Sequence, residues 1–217
     1  MQDQHSIIDQ LFADEKLTEK QKNIIQAAID SFSEKGYAAT STSEIAKKAG
    51  VAEGTIFRHY KTKKDLLLSI IAPLLTKSIA PFVVKDLYKV LDTKYETYEE
   101  FLRGMIENRV VFVKKNLPLF RILIQEIPFH PDLREQFKEN IANKVFTRFQ
   151  SLVEHYQAKG QIIQIPSASV LRMTMSTIVG YFFTRYFLLP DAKWDEEEEL
   201  EMTIQFLLHG LSPTGKR

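Results

Sequence analysis

Apolar residues recur at helical spacing along most of the chain. In the segment TEKQKNIIQAAIDSFSEKGY, Thr18 precedes the apolar positions as a candidate N-cap and Gly36 follows the last of them. The pattern predicts an amphipathic helix over residues 18–36. Its inward positions are Ile24, Ile25, Ala28, Ile29 and Phe32.

Two shorter helices and a fourth, more apolar helix follow. In STSEIAKKAG we expect Thr42 or Ser43 to cap the second helix and Gly50 to end it. The turn GVAE leads into a third helix over GTIFRHY. Lys63 opens the fourth helix, KKDLLLSIIAPLL, which Pro73 kinks or brings towards its end.

Beyond residue 80 the strong segments again have a helical period. We find no alternating strand pattern, no internal repeat and no low-complexity linker in the sequence. The sequence therefore predicts an all-α fold of about nine helices. The later helices are expected over residues 97–116, 117–127, 131–159, 167–189 and 195–211.

Composition limits the class of protein. With 217 residues, 44% of them hydrophobic, the chain can bury a substantial core in one large or two small domains. It has no cysteine, which excludes disulfides and thiolate metal sites and suits the cytoplasm. The first residues do not have the pattern of a signal peptide. Arg172 and Arg185 interrupt the most hydrophobic segment, so we expect a buried helix there and no membrane span.

Charge is unevenly distributed although the net charge is only +1. Residues 35–64 carry seven Lys or Arg and two acids, whereas residues 191–201 carry seven acids and one lysine. The acidic run is typical of a solvated first helical turn. The basic run coincides with the second, third and fourth predicted helices, where the small residues Ala46, Ala49 and Gly50 allow two helices to approach closely. Such a pair of helices is typical of a major-groove reader.

The stretch IIQAAIDSFSEKGYAATSTSEIAKKAGVAEGTIFRHYKTKKDLL resembles the TetR/AcrR-type transcriptional regulators. The resemblance lies in a first helix that ends Phe-x-x-x-Gly-Tyr, a threonine before EIAKKAGV, and GTIFRHYKTKKDLL; it covers residues 20–67. It implies an N-terminal three-helix helix-turn-helix DNA-binding domain over residues 1–65, with an extension over 1–17. A larger helical ligand-binding and dimerisation domain is implied over residues 66–217.

The resemblance also implies which side chains meet DNA. Hydroxyls and amides at the start of the second helix suit phosphate, and Lys63 is expected to hold a phosphate. Arg58 is the expected base reader, because arginine bonds guanine O6 and N7 bidentately. The expected DNA-binding residues are Thr42, Ser43, Thr55, Phe57, Arg58, His59, Lys61 and Lys63.

Phe57 departs from the family pattern, which usually has tyrosine at this position. The ring remains but the hydroxyl that would donate to phosphate is lost, so affinity depends more on Lys61 and Lys64. Packing between helices is the alternative role for Phe57 and the favoured role for Tyr60, and Ile56 is expected in the core.

The C-terminal half is less informative. Its last two helices are apolar on nearly every side, which favours a two-fold dimer. The expected dimerisation residues are Ile178, Phe182, Phe183, Phe206 and Leu207.

By resemblance, the ligand pocket lies between helices 97–116, 131–159 and 167–189. Most aromatic residues there belong more readily to a core than to a pocket. The ligand-binding candidates are Arg109, Phe112, Gln125, Phe149, His155 and Tyr181.

These observations favour a homodimeric, cytoplasmic repressor that a small, largely apolar ligand releases from a palindromic DNA operator. A transcriptional activator and a constitutive DNA binder without a ligand stay open as alternatives. A helical interaction protein and an enzyme are more distant ones. The sequence has no Gly-rich phosphate loop, no Gly-x-Ser-x-Gly motif, no cysteine nucleophile and no metal-type histidine pair, so we expect no catalytic site, metal or cofactor.

Overall fold

A computed structural model of the chain describes residues 7–14, 17–75 and 80–211. No strand occurs in these ranges, and the all-α prediction is confirmed. The helices are α1 Ile7–Asp14, α2 Glu19–Lys35, α3 Thr42–Ala49, α4 Glu53–His59, α5 Lys63–Leu75, α6 Ala80–Leu91, α7 Tyr98–Lys115, α8 Leu117–Glu126, α9 Pro131–Phe137, α10 Asn143–Ala158, α11 Ser167–Phe183 and α12 Glu196–Leu211.

Irregular turns extend three of these helices. A 3₁₀ turn, Ile127–Phe129, follows α8, and a π-helical segment, Thr184–Leu188, continues α11. Another π-helical segment, Lys138–Ala142, joins α9 to α10. With α9 and α10 counted as one, the described ranges hold eleven helices. The two beyond the predicted nine are α1 and α6.

Local hydrogen bonds define where the helices begin and end. Thr18 caps α2 in a reciprocal box with Gln21, as predicted. The prediction that Thr42 or Ser43 caps α3 is wrong, because Ser41 accepts from the backbone N–H of Glu44. Gly50 ends α3 with φ 68°, a left-handed conformation that glycine adopts without strain.

The chain forms two compact units, which are described separately. The first comprises Met1–Val84 and Phe112–Ala142. Of the predicted N-terminal extension, residues 1–6 and 15–16 lie outside the described ranges. The core of this unit includes residues from α1, α2, α3, α4, α5, α8 and α9, among them Leu11, Ile25, Phe32, Ile45, Ile56, Leu67, Ile122 and Leu133.

The second unit comprises Lys85–Val111 and Asn143–Arg217. Aromatic rings of α7 and α10 form a cluster in its interior: Tyr98 stacks on Phe101 at 6.0 Å, and Tyr156 and Phe149 pack beside them. Burial raises the pKa of Tyr98 to about 12. Buried residues of α11 and α12 complete the core, including Val170, Ile178, Phe182, Ile204 and Leu207. The predicted domain division between residues 65 and 66 stays a prediction.

Candidate nucleic-acid interface

Helices α3 and α4 form a helix-turn-helix on the surface of the first unit. The backbone N–H of Val51 donates to the carbonyl of Ala46 at 3.0 Å, which closes the turn after α3. The half-buried side chains of Ala49 and Val51 pack against the core. Helices α3 and α4 therefore lie close together, as predicted. Val51 lies between these two helices and the core.

The side chains of α4 divide into an inner and an outer face. Ile56 and Tyr60 are buried and fix the helix to the core, as predicted. Arg58 and His59 are exposed, and Phe57 has 47% of its surface exposed. Because a phenylalanine this exposed contributes little to the core, the surface role of Phe57 fits better than the packing role.

Arg58 is held by a neighbour on the same helix. Its Nη2 donates to Thr55 Oγ1 at 3.1 Å, one turn earlier. Thr55 itself is only 8% exposed, so its hydroxyl serves chiefly to orient the arginine. The structure thus places Arg58 at the surface, whereas Thr55 lies behind it.

The start of α3 presents hydroxyls and charges at the surface. Thr42 Oγ1 donates to the Glu53 carboxylate at 2.6 Å, while Ser43 is exposed. Lys35 Nζ lies 2.6 Å from Glu44 Oε1, and this hydrogen bond lowers the pKa of Glu44. Since Thr42 already has an acceptor, Ser43 is the more available hydroxyl for a phosphate.

Lys63 lies at the first position of α5 with its ammonium turned towards the protein. Its Nζ donates to the carbonyl oxygens of Tyr37 and Thr40, each at 2.8 Å, and of Ala38 at 3.4 Å. It also lies 4.4 Å from the centroid of the Tyr37 ring. Lys61, by contrast, is exposed.

The six ligand-binding candidates are distributed over both units. Phe112 and Gln125 belong to the first unit, and Phe112 packs against its core. In the second unit, Phe149 is buried in the aromatic cluster and His155 is exposed. Arg109 Nε donates to Asn108 Oδ1 at 2.9 Å.

Tyr181 lines a cavity of about 250 Å³ in the second unit. The other lining residues are Glu107, Val110 and Val111 of α7 and Glu196, Glu197 and Leu200 of α12. The wall is almost entirely apolar, and the three glutamates flank it. Of these lining residues, only Tyr181 is among the ligand-binding candidates that the sequence predicts.

An apolar surface runs over α11 and α12. Of the predicted dimerisation residues, Phe183 and Phe206 are exposed, by 38% and 67% respectively. Ile178, Phe182 and Leu207 are buried in the core of the second unit. The exposed neighbours Met173, Val179 and Met202 extend the surface. We call these five exposed side chains the α11–α12 face.

The described ranges contain neither a candidate metal site nor a candidate membrane span. They contain no group of three or more His, Cys, Asp or Glu side chains that could hold a metal ion. Within the same ranges, none of the helices combines the length and the apolar character that a membrane crossing requires.

Residues 24–70 match the family model described as bacterial regulatory proteins, tetR family. The chain is 29% identical over 201 residues to the uncharacterized HTH-type transcriptional regulator YvkB of Bacillus subtilis, covering 88% of this chain and 96% of YvkB. Among solved structures, the fatty acid degradation regulator FadR of Bacillus halodurans matches with a TM-score of 0.63 and 25% identity, over 91% of this chain and 98% of that one.

FadR of Bacillus subtilis, solved in complex with stearoyl-CoA, matches with a TM-score of 0.61 and 24% identity, over 87% of this chain and 98% of that one. The similarity to this second structure shows a common fold. The matched segment contains α3, α4 and the start of α5, and so includes the exposed Phe57, Arg58 and His59. The relatives of the chain are regulators and not enzymes. Residues 24–70 thus carry a DNA-binding segment of the tetR-family type, and over most of its length the chain is similar to HTH-type transcriptional regulators.

Proposed function

We propose that the protein is a homodimeric repressor that binds a palindromic operator in the cytoplasm and leaves it when a small, largely apolar ligand binds. The observation that carries the DNA-binding part is the outer face of α4, where Phe57, Arg58 and His59 are exposed while Ile56 and Tyr60 anchor the helix. An anchored helix with a free polar face can enter a major groove without unfolding.

The proposed contacts with DNA are of two kinds, contacts to bases and contacts to phosphates. Arg58 reads a base, and His59 and Phe57 border it in the groove. Ser43 and Lys61 are exposed and bind phosphate on either side. Thr42 and Thr55 support the neighbouring residues through the hydroxyl bonds described above.

Binding to DNA is tested with the purified full chain. Selection from random duplexes should recover an inverted repeat whose half-sites lie about one helical turn, roughly 34–36 Å, apart. Affinity for the selected duplex should fall steeply with salt, because phosphate contacts release counterions. Recovery of no common sequence, or binding that is insensitive to salt, would refute this function.

The cavity between α7, α11 and α12 supports a ligand in the second unit. Its volume of about 250 Å³ lies below the range of about 300–1,000 Å³ that is usual for ligand pockets, so it suits a small molecule. Glu107, Glu196 and Glu197 would repel an anionic head group. A neutral or cationic apolar molecule therefore suits this cavity better than a fatty acyl-CoA.

The FadR relatives support a different ligand. FadR of Bacillus halodurans is a fatty acid degradation regulator, and FadR of Bacillus subtilis was solved with stearoyl-CoA. A medium-chain alcohol, the matching primary amine and stearoyl-CoA should therefore be compared for release of the protein from its selected duplex. Release by the alcohol or amine, abolished in the cavity-filling variant Leu200→Trp, is the expected result.

Three other outcomes are informative. Release by stearoyl-CoA in both wild type and Leu200→Trp would place the ligand outside this cavity. Release by none of the three would favour a constitutive DNA binder. An increase in transcription when the protein occupies its operator would identify an activator.

A further inference from the structure

The ammonium of Lys63 is surrounded by one turn of the backbone. An ammonium has three donors, and three carbonyls of residues 37–40 accept from it at 2.8, 3.4 and 2.8 Å. The face of the Tyr37 ring covers it at 4.4 Å. A phosphate at this position would have to compete with acceptors that are already in place.

The turn that Lys63 holds is the connection between α2 and α3. Gly36 leaves α2 with φ 82°, and Thr40 Oγ1 donates to the carbonyls of Gly36 at 2.8 Å and Ser31 at 3.2 Å. The next residue is Ser41, which caps α3. The position of this turn therefore sets where the exposed start of α3 lies.

The ring of Tyr37 also contacts two other rings. Its ring packs against Phe32 at 5.4 Å and meets the ring of His130 edge-on at 6.4 Å. His130 Nε2 lies 3.2 Å from Glu126 Oε2, and both side chains are largely buried. The turn is thus fixed by α5 through Lys63 and by His130, which directly precedes α9.

We propose that Lys63 is a positioning residue for DNA binding, which acts by gathering the carbonyls of residues 37–40 and so placing the start of α3 against the phosphate backbone. The proposal rests on the DNA-binding function proposed above. Without the ammonium, the converging carbonyl dipoles repel one another and the turn relaxes. Phosphate contacts depend on placement within about 0.5 Å, so the start of α3 then loses contacts although Ser43 is unchanged.

Salt dependence separates positioning from direct phosphate binding. Lys63→Met should weaken binding to selected and random duplexes roughly tenfold, while the slope of log K against log salt stays as in wild type. The exposed Lys61 gives the matched control: Lys61→Met removes one phosphate contact and should reduce the slope by about 0.9 per half-site. A reduction of that size in Lys63→Met would overturn the proposal.

The variant Lys63→Arg distinguishes positioning from direct phosphate binding in a second way. A guanidinium is a planar fork that suits phosphate oxygens but does not match three carbonyls gathered around a compact ammonium. Positioning predicts that Lys63→Arg weakens DNA binding nearly as much as Lys63→Met. Wild-type or tighter binding by Lys63→Arg would overturn the proposal.

Hydrogen exchange of the free protein tests the mechanism independently of DNA. In Lys63→Met, exchange should accelerate at the amides of residues 37–44 and stay unchanged in α8 and α10. Uniform acceleration, which a general loss of stability produces, would contradict a positioning role, as would no change. Wild type that binds no duplex would refute the proposed function, and exchange would still report whether Lys63 orders the turn.

Discussion

The guanidinium of Arg58 is already oriented before any DNA is present. Its bond to the largely buried Thr55 hydroxyl fixes one end of a long side chain at the surface of α4. Side-chain ordering costs about 0.5–1.5 kcal/mol per flexible residue at an interface, so part of this cost is met in the free protein. At the scale of single residues, Arg58 is therefore where specificity is expected.

Removal of the Arg58 guanidinium should cost about 1–3 kcal/mol in binding to the selected duplex and relax the preference at one base pair per half-site. Arg58→Ala is compared with Arg58→Lys, which keeps the charge but lacks the planar fork of the guanidinium. We expect both variants to lose sequence preference and Arg58→Lys to keep more of its affinity for random DNA. Quantitative anisotropy on single-substituted duplexes provides the measurement; unchanged base preference in both variants would rule out base reading by Arg58.

Restoring a hydroxyl at Phe57 should tighten DNA binding. The ring is exposed beside Arg58, and Phe57→Tyr adds a donor that can reach a phosphate. A hydrogen bond to a charged group of this kind is worth about 1.5–3 kcal/mol, which is about tenfold or more in affinity. Phe137→Tyr on α9 is the control, because it adds a hydroxyl to another exposed ring of the same unit. Equal effects of the two substitutions on the dissociation constant would remove Phe57 from the interface.

Single-residue predictions from the sequence succeeded where the residue type carries the information. Ile56 and Tyr60 are buried and Arg58 is exposed, as their chemistry and spacing indicated. The contacts of Lys63 could not be predicted in this way, because its acceptors are backbone carbonyls, which every residue has. Ser41 was missed as a cap because two further hydroxyl residues follow it directly.

At the scale of helices, reciprocal caps mark several beginnings. Ser41 pairs with Glu44 at α3, Thr62 with Asp65 at α5, and Thr97 with Glu100 at α7. Each pair satisfies backbone N–H groups that the first helical turn leaves without partners. For the eight-residue helix α3, the cap adds to the stability that the buried side chains of Ile45 and Ala46 provide.

Ser41→Ala should lower the free energy of unfolding of the first unit by about 0.5–2 kcal/mol. Ser41→Asp keeps an acceptor for the backbone N–H of Glu44 and serves as the matched control. Denaturant unfolding measures the difference between the two variants. A loss in Ser41→Asp as large as that in Ser41→Ala would show that the cap is not responsible.

Helix existence and bounds were predictable where amphipathic periodicity ran for several turns, as in α2 and α7. The predicted helix over residues 131–159 agrees with α9 and α10, although the π-helical segment between them left no signal in the apolar spacing. Two helices were missed, α1 with 8 residues and α6 with 12. Helices this short depend on tertiary packing for stability, so a local pattern specifies them weakly.

At the scale of the whole molecule, the α11–α12 face is the main apolar surface that the proposed dimer would cover. Phe206→Glu should yield monomers in sedimentation, because a charge buried in an apolar interface without a partner is strongly unfavourable. Phe129→Glu is the control: Phe129 is 80% exposed but lies in the first unit. Wild-type protein that sediments as a monomer at micromolar concentration, or dimers of Phe206→Glu, would exclude this face.

The ligand-binding candidates illustrate which aspects of the organisation of the whole molecule cannot be predicted from the sequence. The candidates are aromatic or polar residues on the predicted helices, yet Phe112 and Gln125 belong to one unit and Phe149 and Tyr181 to the other. Periodicity reports which face of a helix is buried but not which helices it faces. The cavity residues of α12 were interpreted as a solvated acidic turn for the same reason.

The carbonyl-bound ammonium of Lys63 also has a consequence for chemical reactivity. Acylation requires the amine nitrogen to attack the reagent with a free lone pair, and the Lys63 nitrogen must first lose a proton and leave three carbonyl oxygens. Lys61 and Lys64 are exposed and have no such requirement. Brief treatment with an amine-reactive ester should therefore label both neighbours well before Lys63, so that mass spectrometry of the modified peptides reports how often the turn between α2 and α3 opens.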